Sequence, residues 1–349
     1  MDTGIIRFEP RTAPEELWRA HYDHLDAISL ELDPEEPLLP RAKRRALLLS
    51  AQDIPYTNKY YYLLPADGGK AAGYASAAVE TPASPTYAAN RHNANIKLSV
   101  LPGYRRKGLG TRLLRHLVAE MAAQEPSVTE YLTPVMTEPG FKFLDALGGT
   151  VSLVHGENRL YLRDLDWGMV EAWAAEGARR NPASAIVAAE AIPEEDIKDF
   201  CRVYSETMAQ QPFGDISLKI EITPEQVRLG EATAREAGAV HTTIYSKEAD
   251  GSVSGLTETQ YMPELGHRVW QMLTGVRADC RGRGLGKLLK ALMLLDIRKK
   301  YPGVKYVVTG NADANAPMMA INKALGFKKH RPVLIYKLKP GPALLPPKG

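Results

Sequence analysis

A glycine-rich turn flanked by basic side chains is the part of this sequence best suited to chemistry. Residues 281–289 read RGRGLGKLL, and an apolar run ends just before them at Val276. A helix that starts after such a turn has unpaired N–H groups with partial positive charge in its first turn. Glycines let these amides approach a ligand, and Arg281, Arg283 and Lys287 add positive charge. The pattern predicts a cradle for phosphate or pyrophosphate, although glycine and basic residues can also simply cap a helix.

The same pattern occurs twice in the chain. Residues 98–114 read LSVLPGYRRKGLGTRLL and residues 273–289 read LTGVRADCRGRGLGKLL, so Gly284 follows Gly108 by 176 residues. The glycines that close FLDALGG and INKALGF keep nearly the same spacing. A period of one domain length indicates duplicated domains rather than a solenoid.

Length and composition agree with two globular domains and exclude several classes of protein. The chain has 349 residues, 44% hydrophobic and 24% charged, and domains average about 150 residues. Without a long apolar run or a secretory h-region, and with two cysteines, the sequence favours a reduced cytoplasmic setting. A net charge of +3 is too weak to indicate a nucleic-acid or membrane partner, and the eight histidines show no metal-binding spacing.

The hydrophobic periodicity predicts a mixed α/β (α+β) fold in each half, with hairpins early and a strand–helix–strand unit late. In the first half we expect strands at 4–9, 94–101, 128–135 and 159–164, helices at 15–32, 40–50, 108–123 and 140–147, and a hairpin of 59–65 with 71–80. In the second half we expect strands at 184–192, 268–276, 305–311 and 333–338, helices at 194–210, 284–299 and 315–325, and a hairpin at 240–262.

Domain boundaries follow from the repeat and from a helical stretch that ends at Asn181-Pro182. They place an N-terminal domain at 1–165, a linker helix at 166–182, a C-terminal domain at 183–340 and a flexible tail at 341–349.

The glycine-rich turns carry a family resemblance. Arg281-Gly282-Arg283-Gly284-Leu285-Gly286, after Thr274-Gly275-Val276, resembles motif A of the GNAT superfamily of N-acetyltransferases, [Q/R]-x-x-G-x-[G/A]. The run Arg105 to Gly110 matches it as well. The resemblance covers nearly the whole chain and implies two tandem GNAT-like acyl-CoA N-acyltransferase domains, similar in layout to the mycothiol synthase family.

The resemblance implies acetyl-CoA as the cofactor and donor. Its pyrophosphate would lie on the amides from Arg281 to Lys287. Its pantetheine arm would pair like an added strand with the strand ending at Val276, which a bulge should splay from its neighbour. The implied contacts in the second half are Leu273, Thr274, Val276, Arg281, Gly282, Arg283, Gly284, Leu285, Gly286, Lys287, Asn311 and Asn315. Those in the first half are Val100, Arg105, Arg106, Lys107, Gly108, Gly110 and Thr111.

The two halves are not equivalent. The second half continues as T-x-N…N-x-x-M-x-x-x-N-x-x-L-G-F, which looks like the C-terminal half of many GNAT enzymes and implies that Asn315 bonds the pantetheine. Asn315 could equally serve as the N-cap of the helix that follows. The first half has no asparagines at these places. We interpret the first domain as non-catalytic, with cofactor binding there left open, and the second domain as catalytic.

Acetyl transfer to an amine needs a base, a donor for the thioester oxygen and alignment of the reactants. The resemblance assigns the oxygen donor to the backbone N–H of Val276. Many family members protonate the leaving thiolate with a tyrosine, but Asn322 stands at that position. Since an amide cannot act as an acid, a tyrosine-dependent mechanism is in doubt.

The best candidate for the base is Glu258, in the strand GLTETQY (255–261). Strand alternation puts it on the same face as Leu256, and a carboxylate on a buried face suits proton abstraction. An ordinary solvated strand residue is the alternative. Gln271 could orient water or acceptor, or simply form a cross-strand hydrogen bond. His241 and His267 are predicted to be surface residues near turns.

The function predicted from these residues is acetyl-CoA-dependent transfer of an acetyl group to a primary amine of a small molecule, by direct attack on the thioester. The protein would be a monomer or a homodimer. Two alternatives stay open: a non-catalytic acyl-CoA-binding or sensor protein, and the same fold using another acyl or aminoacyl donor.

Overall fold

Both halves of the chain contain strands and helices, with antiparallel hairpins before a strand–helix–strand unit. The computed structural model describes residues 4–341 and 344, in which it places the following strands and α-helices. The strands are β1 (Ile6–Arg7), β2 (Thr57–Ala66), β3 (Lys70–Glu80), β4 (Asn93–Val100), β5 (Glu130–Val135), β6 (Thr150–Tyr161), β7 (Ala185–Ala189), β8 (Val240–Lys247), β9 (Val253–Tyr261), β10 (Arg268–Val276), β11 (Tyr306–Ala312) and β12 (Lys328–Leu338). The helices are α1 (Glu15–Leu32), α2 (Arg41–Ser50), α3 (Tyr87–Asn90), α4 (Leu109–Gln124), α5 (Glu138–Asp145), α6 (Trp167–Arg180), α7 (Ile197–Ala209), α8 (Pro224–Glu236), α9 (Leu285–Lys300) and α10 (Ala316–Leu325).

The first compact unit comprises Met1–Ser152, Asp215–Leu218 and Leu334–Gly349. Its strands follow the order β1-β2-β3-β4-β5-β12, in which β4 and β5 are parallel and the other pairs are antiparallel. The core lies between these strands and α4, which presents Leu113, Leu117 and Met121 fully buried. Their spacing of four residues is the helical stripe that the sequence predicts.

The second compact unit comprises Leu153–Gly214 and Lys219–Val333. Its strands follow the order β6-β11-β10-β9-β8-β7, with β10 and β11 parallel. Helix α9 packs against one side with Leu289, Met293 and Ile297. Helix α7 packs Phe200 into a separate cluster with Leu256 of β9. Both units therefore have the mixed α/β architecture that the sequence predicts.

The last strand of each half belongs to the unit of the other half. From Leu153 onward β6 is part of the second unit and pairs with β11, whereas residues 334–338 of β12 pair with β5 in the first unit. The unit boundaries therefore differ from the predicted 1–165 and 183–340. The difference arises because strand pairing is fixed by long-range register, which sequence order does not show.

The predicted linker helix is α6, and it packs within the second unit. A Cβ atom at Gly177 would lie 2.6 Å from Cβ of Leu288, so the glycine allows α6 to approach α9 closely. Val170 of the same helix is buried in the core cluster of α9. This stretch is thus an integral helix of the second unit.

Two other differences concern element limits. Helix α8 falls in a region where no helix is predicted, and β6 and β12 begin at Thr150 and Lys328, well before the predicted 159 and 333. The predicted tail 341–349 lies outside the described residues, apart from 341 and 344. None of the described helices combines the length and apolarity that crossing a bilayer requires.

Candidate active site

Strand β10 separates from β11 halfway along its length. Their parallel pairing runs from Arg268↔Tyr306 to Gln271↔Thr309 and no further. On its other side β10 stays paired with β9 up to Val276, but the register shifts between Gln271 and Thr274. This is the bulge and splay that the family resemblance implies, and it leaves an opening between the ends of β10 and β11.

The backbone N–H of Val276 points into this opening. The N–H of Arg277 donates to the carbonyl of Ser254 on β9 at 2.9 Å. Successive N–H groups of a strand point to opposite edges, so the N–H of Val276 faces away from β9, toward the β11 side. Since the β10–β11 pairing ends at Gln271, no described residue of β11 is paired with it there. Its orientation is the one that an oxygen donor at this position requires.

The turn between β10 and α9 depends on two glycines. Gly282 has φ 78° and Gly284, the N-cap of α9, has φ 86°, both in the left-handed region. Gly284 forms no side-chain cap hydrogen bond, and a Cβ at Gly282 would meet nothing within 4 Å. At Gly286 a Cβ would meet Ile321 at an ordinary 3.4 Å. The first turn of α9 therefore has its backbone N–H groups available to an anion.

The basic side chains of this turn make contacts within the protein. Arg283 donates to Glu248, Ser184 and Asn181, each at 2.9 Å. The guanidinium of Arg281 bonds Gln210, and Nζ of Lys287 lies 4.9 Å from the ring centroid of Trp173. These contacts hold the turn in place, so an anion bound here would meet mainly backbone amides.

The side chains of the remaining cofactor candidates in β10 and the turn make contacts within the protein. Leu273 and Leu285 are buried in apolar clusters, and Oγ1 of Thr274 lies 2.8 Å from Oγ1 of Thr257. Cys280 is buried as well, and burial raises the pKa of its thiol, which disfavours the reactive thiolate.

The motif occurs in two copies, residues 98–114 in the first half of the chain and residues 273–289 in the second half. The first copy repeats part of this geometry. The β4–β5 pairing ends at Asn95↔Leu132, and the N–H of Leu101 donates to Ala72. The N–H of Val100 therefore faces the opening, as that of Val276 does in the second copy. However, β4 pairs with β3 from Ala78↔Asn95 to Gly73↔Val100 without a bulge.

The basic turn of the first copy is also tied down. Arg105 forms a bidentate ion pair with Glu31, and Lys107 donates to the carbonyl of Gly103. Arg106 has φ 62°, in the position that Gly282 occupies in the second copy. Helix α4 starts after Gly108 (φ 75°), a Cβ at Gly110 would lie 3.2 Å from Phe143, and Thr111 is partly buried in the first turn.

Glu258 is buried beside His241, near the start of β8. Nε2 of His241 lies 3.3 Å from Oε1 of Glu258. Within the part of the chain that the structure describes, neither Nε2 of His241 nor Oε2 of Glu258 has a hydrogen-bond partner. His241 stays partly exposed near a turn, as predicted, but the hairpin register turns its buried Nε2 toward the carboxylate, a contact that was not predicted. The contact follows from the β8–β9 register, His241↔Gln260 and Thr243↔Glu258, which the sequence alone does not show.

The histidine and the carboxylate influence each other electrostatically. Burial lowers the pKa of His241, but the contact with Glu258 and the charge of Glu231 outweigh it, and the net shift is upward. On α7, burial and the charge of Glu258 raise the pKa of Tyr204. A negative charge at Glu258 is thus felt by both neighbours.

Gln271 fills the bulge. Its Nε2 donates to the carbonyl oxygen of Glu258 at 2.7 Å and to Oγ1 of Thr257 at 3.1 Å. This is the cross-strand hydrogen bond that the sequence left as the alternative to a catalytic role. It also holds the backbone of Glu258 against the bulged segment of β10.

Two asparagines lie at the β11 side of the opening. Asn311 is two residues beyond Thr309, and its Oδ1 accepts from Nδ2 of Asn322 at 2.6 Å. Asn315 is the N-cap of α10, with Oδ1 accepting from the N–H of Met318 at 3.4 Å. The capping role considered for Asn315 is therefore present.

Comparison with known proteins agrees with this geometry. Residues 19–138 match the sequence model of the Acetyltransferase (GNAT) family. A tandem GNAT protein from the clavulanic acid biosynthesis pathway, solved without AcCoA, has a TM-score of 0.73 at 21% identity, covering 97% of this chain and 98% of that one. The chain has the tandem GNAT fold.

Other solved structures share this GNAT fold. A GCN5-related N-acetyltransferase from Sphaerobacter thermophilus has a TM-score of 0.61 at 17% identity, covering 98% of this chain and 97% of that one. A GCN5-related glucosamine N-acetyltransferase region of a fungal multi-domain β-N-acetylglucosaminidase has a TM-score of 0.64 at 13% identity, covering 96% of this chain and 38% of that one. No curated protein matches the sequence. The GNAT family match falls on the first half of the chain, which we interpret from the sequence as non-catalytic.

Proposed function

We propose that this protein is an acetyl-CoA-dependent N-acetyltransferase that acetylates a primary amine of a small molecule, with its active site in the second copy. The observation that carries the proposal is the bulged strand β10. The N–H of Val276 faces the opening beside this strand, as that of Val100 does in the first copy, but only β10 is bulged there. The opening ends at the glycine turn of α9. The first copy lacks the bulge, which supports its role as a non-catalytic partner.

The residues around the opening fit acetyl-CoA as donor. The first-turn amides of α9, which have no partner within the helix, suit a pyrophosphate, and the edge of β10 beyond Gln271, where pairing with β11 has ended, suits the amide groups of a pantetheine arm. Asn311 stands at the opposite side of that opening. When bound, the thioester supplies the acetyl group, and the N–H of Val276 would donate to its carbonyl oxygen.

Glu258 is the proposed base. It lies three residues along β9 from Gly255, the partner of Val276, which is about 10 Å of extended chain. This separation leaves room for an amine, or an amine and a water, between the carboxylate and the oxygen donor. Oε2 of Glu258, buried and without a described partner, is the atom placed to accept the proton.

Exposed apolar side chains on the same face would contact the acceptor. Trp270 pairs across the strands with Gln260, which shares a face with Glu258, and Met272 follows two residues later. Trp270 is 41% exposed and Met272 is 38% exposed, so both have apolar surface available to a ligand. A primary amine whose ammonium or apolar part lies against the Trp270 ring fits this face.

The test is turnover of acetyl-CoA, read as thiol release over a panel of small amines, together with calorimetric binding of CoA. Glu258→Gln should reduce turnover about 100-fold or more while CoA affinity stays within about twofold. Full activity in this variant would remove Glu258 from the mechanism. CoA binding without acetylation of any amine would instead favour an acyl-CoA sensor, the role that Asn322 in place of a tyrosine suggests.

A pair of matched variants assigns the cofactor site to one copy. Gly284→Asp and Gly108→Asp each place a carboxylate where a pyrophosphate would lie. A Cβ at Gly108 would meet nothing within 4 Å, and a Cβ at Gly284 would meet only the Arg180 side chain, at 3.4 Å. Asp is among the residues that tolerate a positive φ. We expect Gly284→Asp to lower CoA affinity at the catalytic site and to stop turnover. Loss of turnover in Gly108→Asp alone would contradict the assignment to the second copy.

A further inference from the structure

A buried lysine beneath the opening takes no part in the steps above. Lys290 lies in the middle of α9 and is 2% exposed. Its Nζ donates to Oδ1 of Asn322 at 2.7 Å and lies 5.2 Å from the ring centroid of Phe327. Over the described residues no carboxylate forms an ion pair with it. A buried ammonium without a counter-charge is costly, so it calls for a function.

This lysine determines the orientation of two amides in series. An ammonium has only donors, so Asn322 must turn its Oδ1 toward Lys290. The Nδ2 of Asn322 then donates to Oδ1 of Asn311 at 2.6 Å. The remaining polar atom of Asn311, its Nδ2, is left as a donor. Asn311 lies just beyond Thr309, where pairing with β10 has ended, so this donor is at the edge of the opening.

We infer that Lys290 is a positioning residue: through Asn322 it fixes Asn311 as a hydrogen-bond donor for a carbonyl of the pantetheine arm. The inference rests on the proposed use of acetyl-CoA. This role explains why α9 keeps a charged residue on its packed face. With an uncharged side chain there, the side-chain amides of Asn322 and Asn311 could exchange the positions of their oxygen and nitrogen atoms.

Protonation of Lys290 should therefore control cofactor affinity. Burial lowers the pKa of Lys290 to about 7, and no described charged group contributes to the shift. Asn322 faces the ammonium from α10 and Phe327 faces it from just before β12, and both side chains are uncharged. The neutral amine has a lone pair and can accept from Asn322, so it no longer imposes one polarity. CoA affinity should be highest below pH 7 and should fall as the pH rises through about 7.

The test compares wild type, Lys290→Met and Lys299→Met. The methionine keeps the length of the side chain without its charge, and Lys299 is an exposed lysine on the same helix. CoA dissociation constants are measured by calorimetry at pH 6, 7.5 and 9, and the midpoint of thermal unfolding is measured at pH 6. For wild type and Lys299→Met we expect CoA affinity to fall about 3- to 10-fold from pH 6 to 9, the worth of one hydrogen bond.

For Lys290→Met we expect two opposite effects. CoA should bind about tenfold more weakly at pH 6 and without the pH dependence, whereas the unfolding midpoint should rise because a buried charge has been removed. If Lys290 only stabilised the fold, the Lys290→Met variant would lose both CoA affinity and stability.

Three outcomes would overturn the inference. The first is unchanged affinity and pH dependence in Lys290→Met, with wild type still binding CoA, which would leave the proposed function standing. The second is a wild-type affinity that stays constant from pH 6 to 9, which needs no variant to observe. The third is no CoA binding by wild type at any pH, which would remove the proposed function as well.

Discussion

Nε2 of His241 lies 3.3 Å from Oε1 of Glu258, in the interior of the second copy. The two residues are brought together by the β8–β9 hairpin, where Thr243 is opposite Glu258 and His241 is one step further along the same face. A histidine next to the proposed base can hold the carboxylate in place and stabilise its negative charge until the acceptor arrives.

The first prediction concerns the titration of His241. Its pKa is raised because Glu258 favours the imidazolium more than burial disfavours it. In Glu258→Gln the burial of His241 still lowers its pKa, but the carboxylate that raised it is gone. The pKa of His241 should therefore fall below that in wild type. The chemical shift of its ring protons followed by NMR against pH measures this directly. An unchanged pKa would mean that the side chains are not in contact in solution.

The same pair should make stability depend on pH. A histidine whose pKa is raised by folding stabilises the protein fully below its unfolded value of 6.5, and the effect is lost as pH rises through the raised folded pKa. Glu258→Gln should therefore lower the free energy of unfolding more at pH 6 than at pH 9. Denaturant unfolding at the two pH values gives the comparison, and an equal loss at both would contradict it.

A third prediction addresses the acceptor. Trp270→Ala removes the exposed ring that faces the proposed amine site, without emptying the packed core. We expect KM for the amine to rise by about 2- to 5-fold, the worth of an exposed cation–π contact of about 0.5–1 kcal/mol, while CoA affinity is unchanged. Initial-rate kinetics with each substrate varied separately distinguish the two constants. A change confined to the KM for acetyl-CoA would place Trp270 elsewhere in the mechanism.

A fourth prediction concerns Arg106, which has φ 62° where the second copy has Gly282. A left-handed conformation costs a residue with a Cβ roughly 1 kcal/mol relative to glycine. Arg106→Gly should therefore increase the stability of the first unit by up to about that amount, provided that its side chain makes no compensating contact. The reverse change, Gly282→Arg, should destabilise the second unit. Denaturant midpoints of the two variants against wild type measure both effects.

Local elements were largely predictable from the sequence. Helix α1 occupies 15–32 and β10 occupies 268–276, both with the predicted limits, because an amphipathic stripe and a bounded apolar run are local signals. Helix α8 was missed although its capping box, Thr223 with Gln226, and the proline after the cap are visible in the sequence.

The candidate site was predictable only in part. The glycine turn and the bulge of β10 follow a short motif, and the structure contains both. The partners of Glu258 and Lys290 depend on strand register and helix packing between residues far apart in sequence, and no local pattern carries that information. The contact between His241 and Glu258 was not predicted for this reason.

The fifth prediction follows from the exchanged strands. A chain that ends at Val333 lacks residues 334–338, which pair with β5 and place Tyr336 and Leu338 in the core of the first unit. The hydroxyl of Tyr336 also donates to Asp145 at 2.8 Å. Loss of these contacts should cost several kcal/mol, so β4 and β5 should exchange amide hydrogens much faster. A control chain ending at Leu344 should protect them as the full chain does.

The exchange also orders events during synthesis. A ribosome releases the N-terminal residues first, yet β12, which pairs with β5, is translated after all the other described strands. Until β12 has been made the growing chain therefore carries an unfilled strand position, which is an edge prone to pairing with other nascent chains. The first half can complete its fold only when the second half has been made, so neither copy can be lost by truncation without disabling the other.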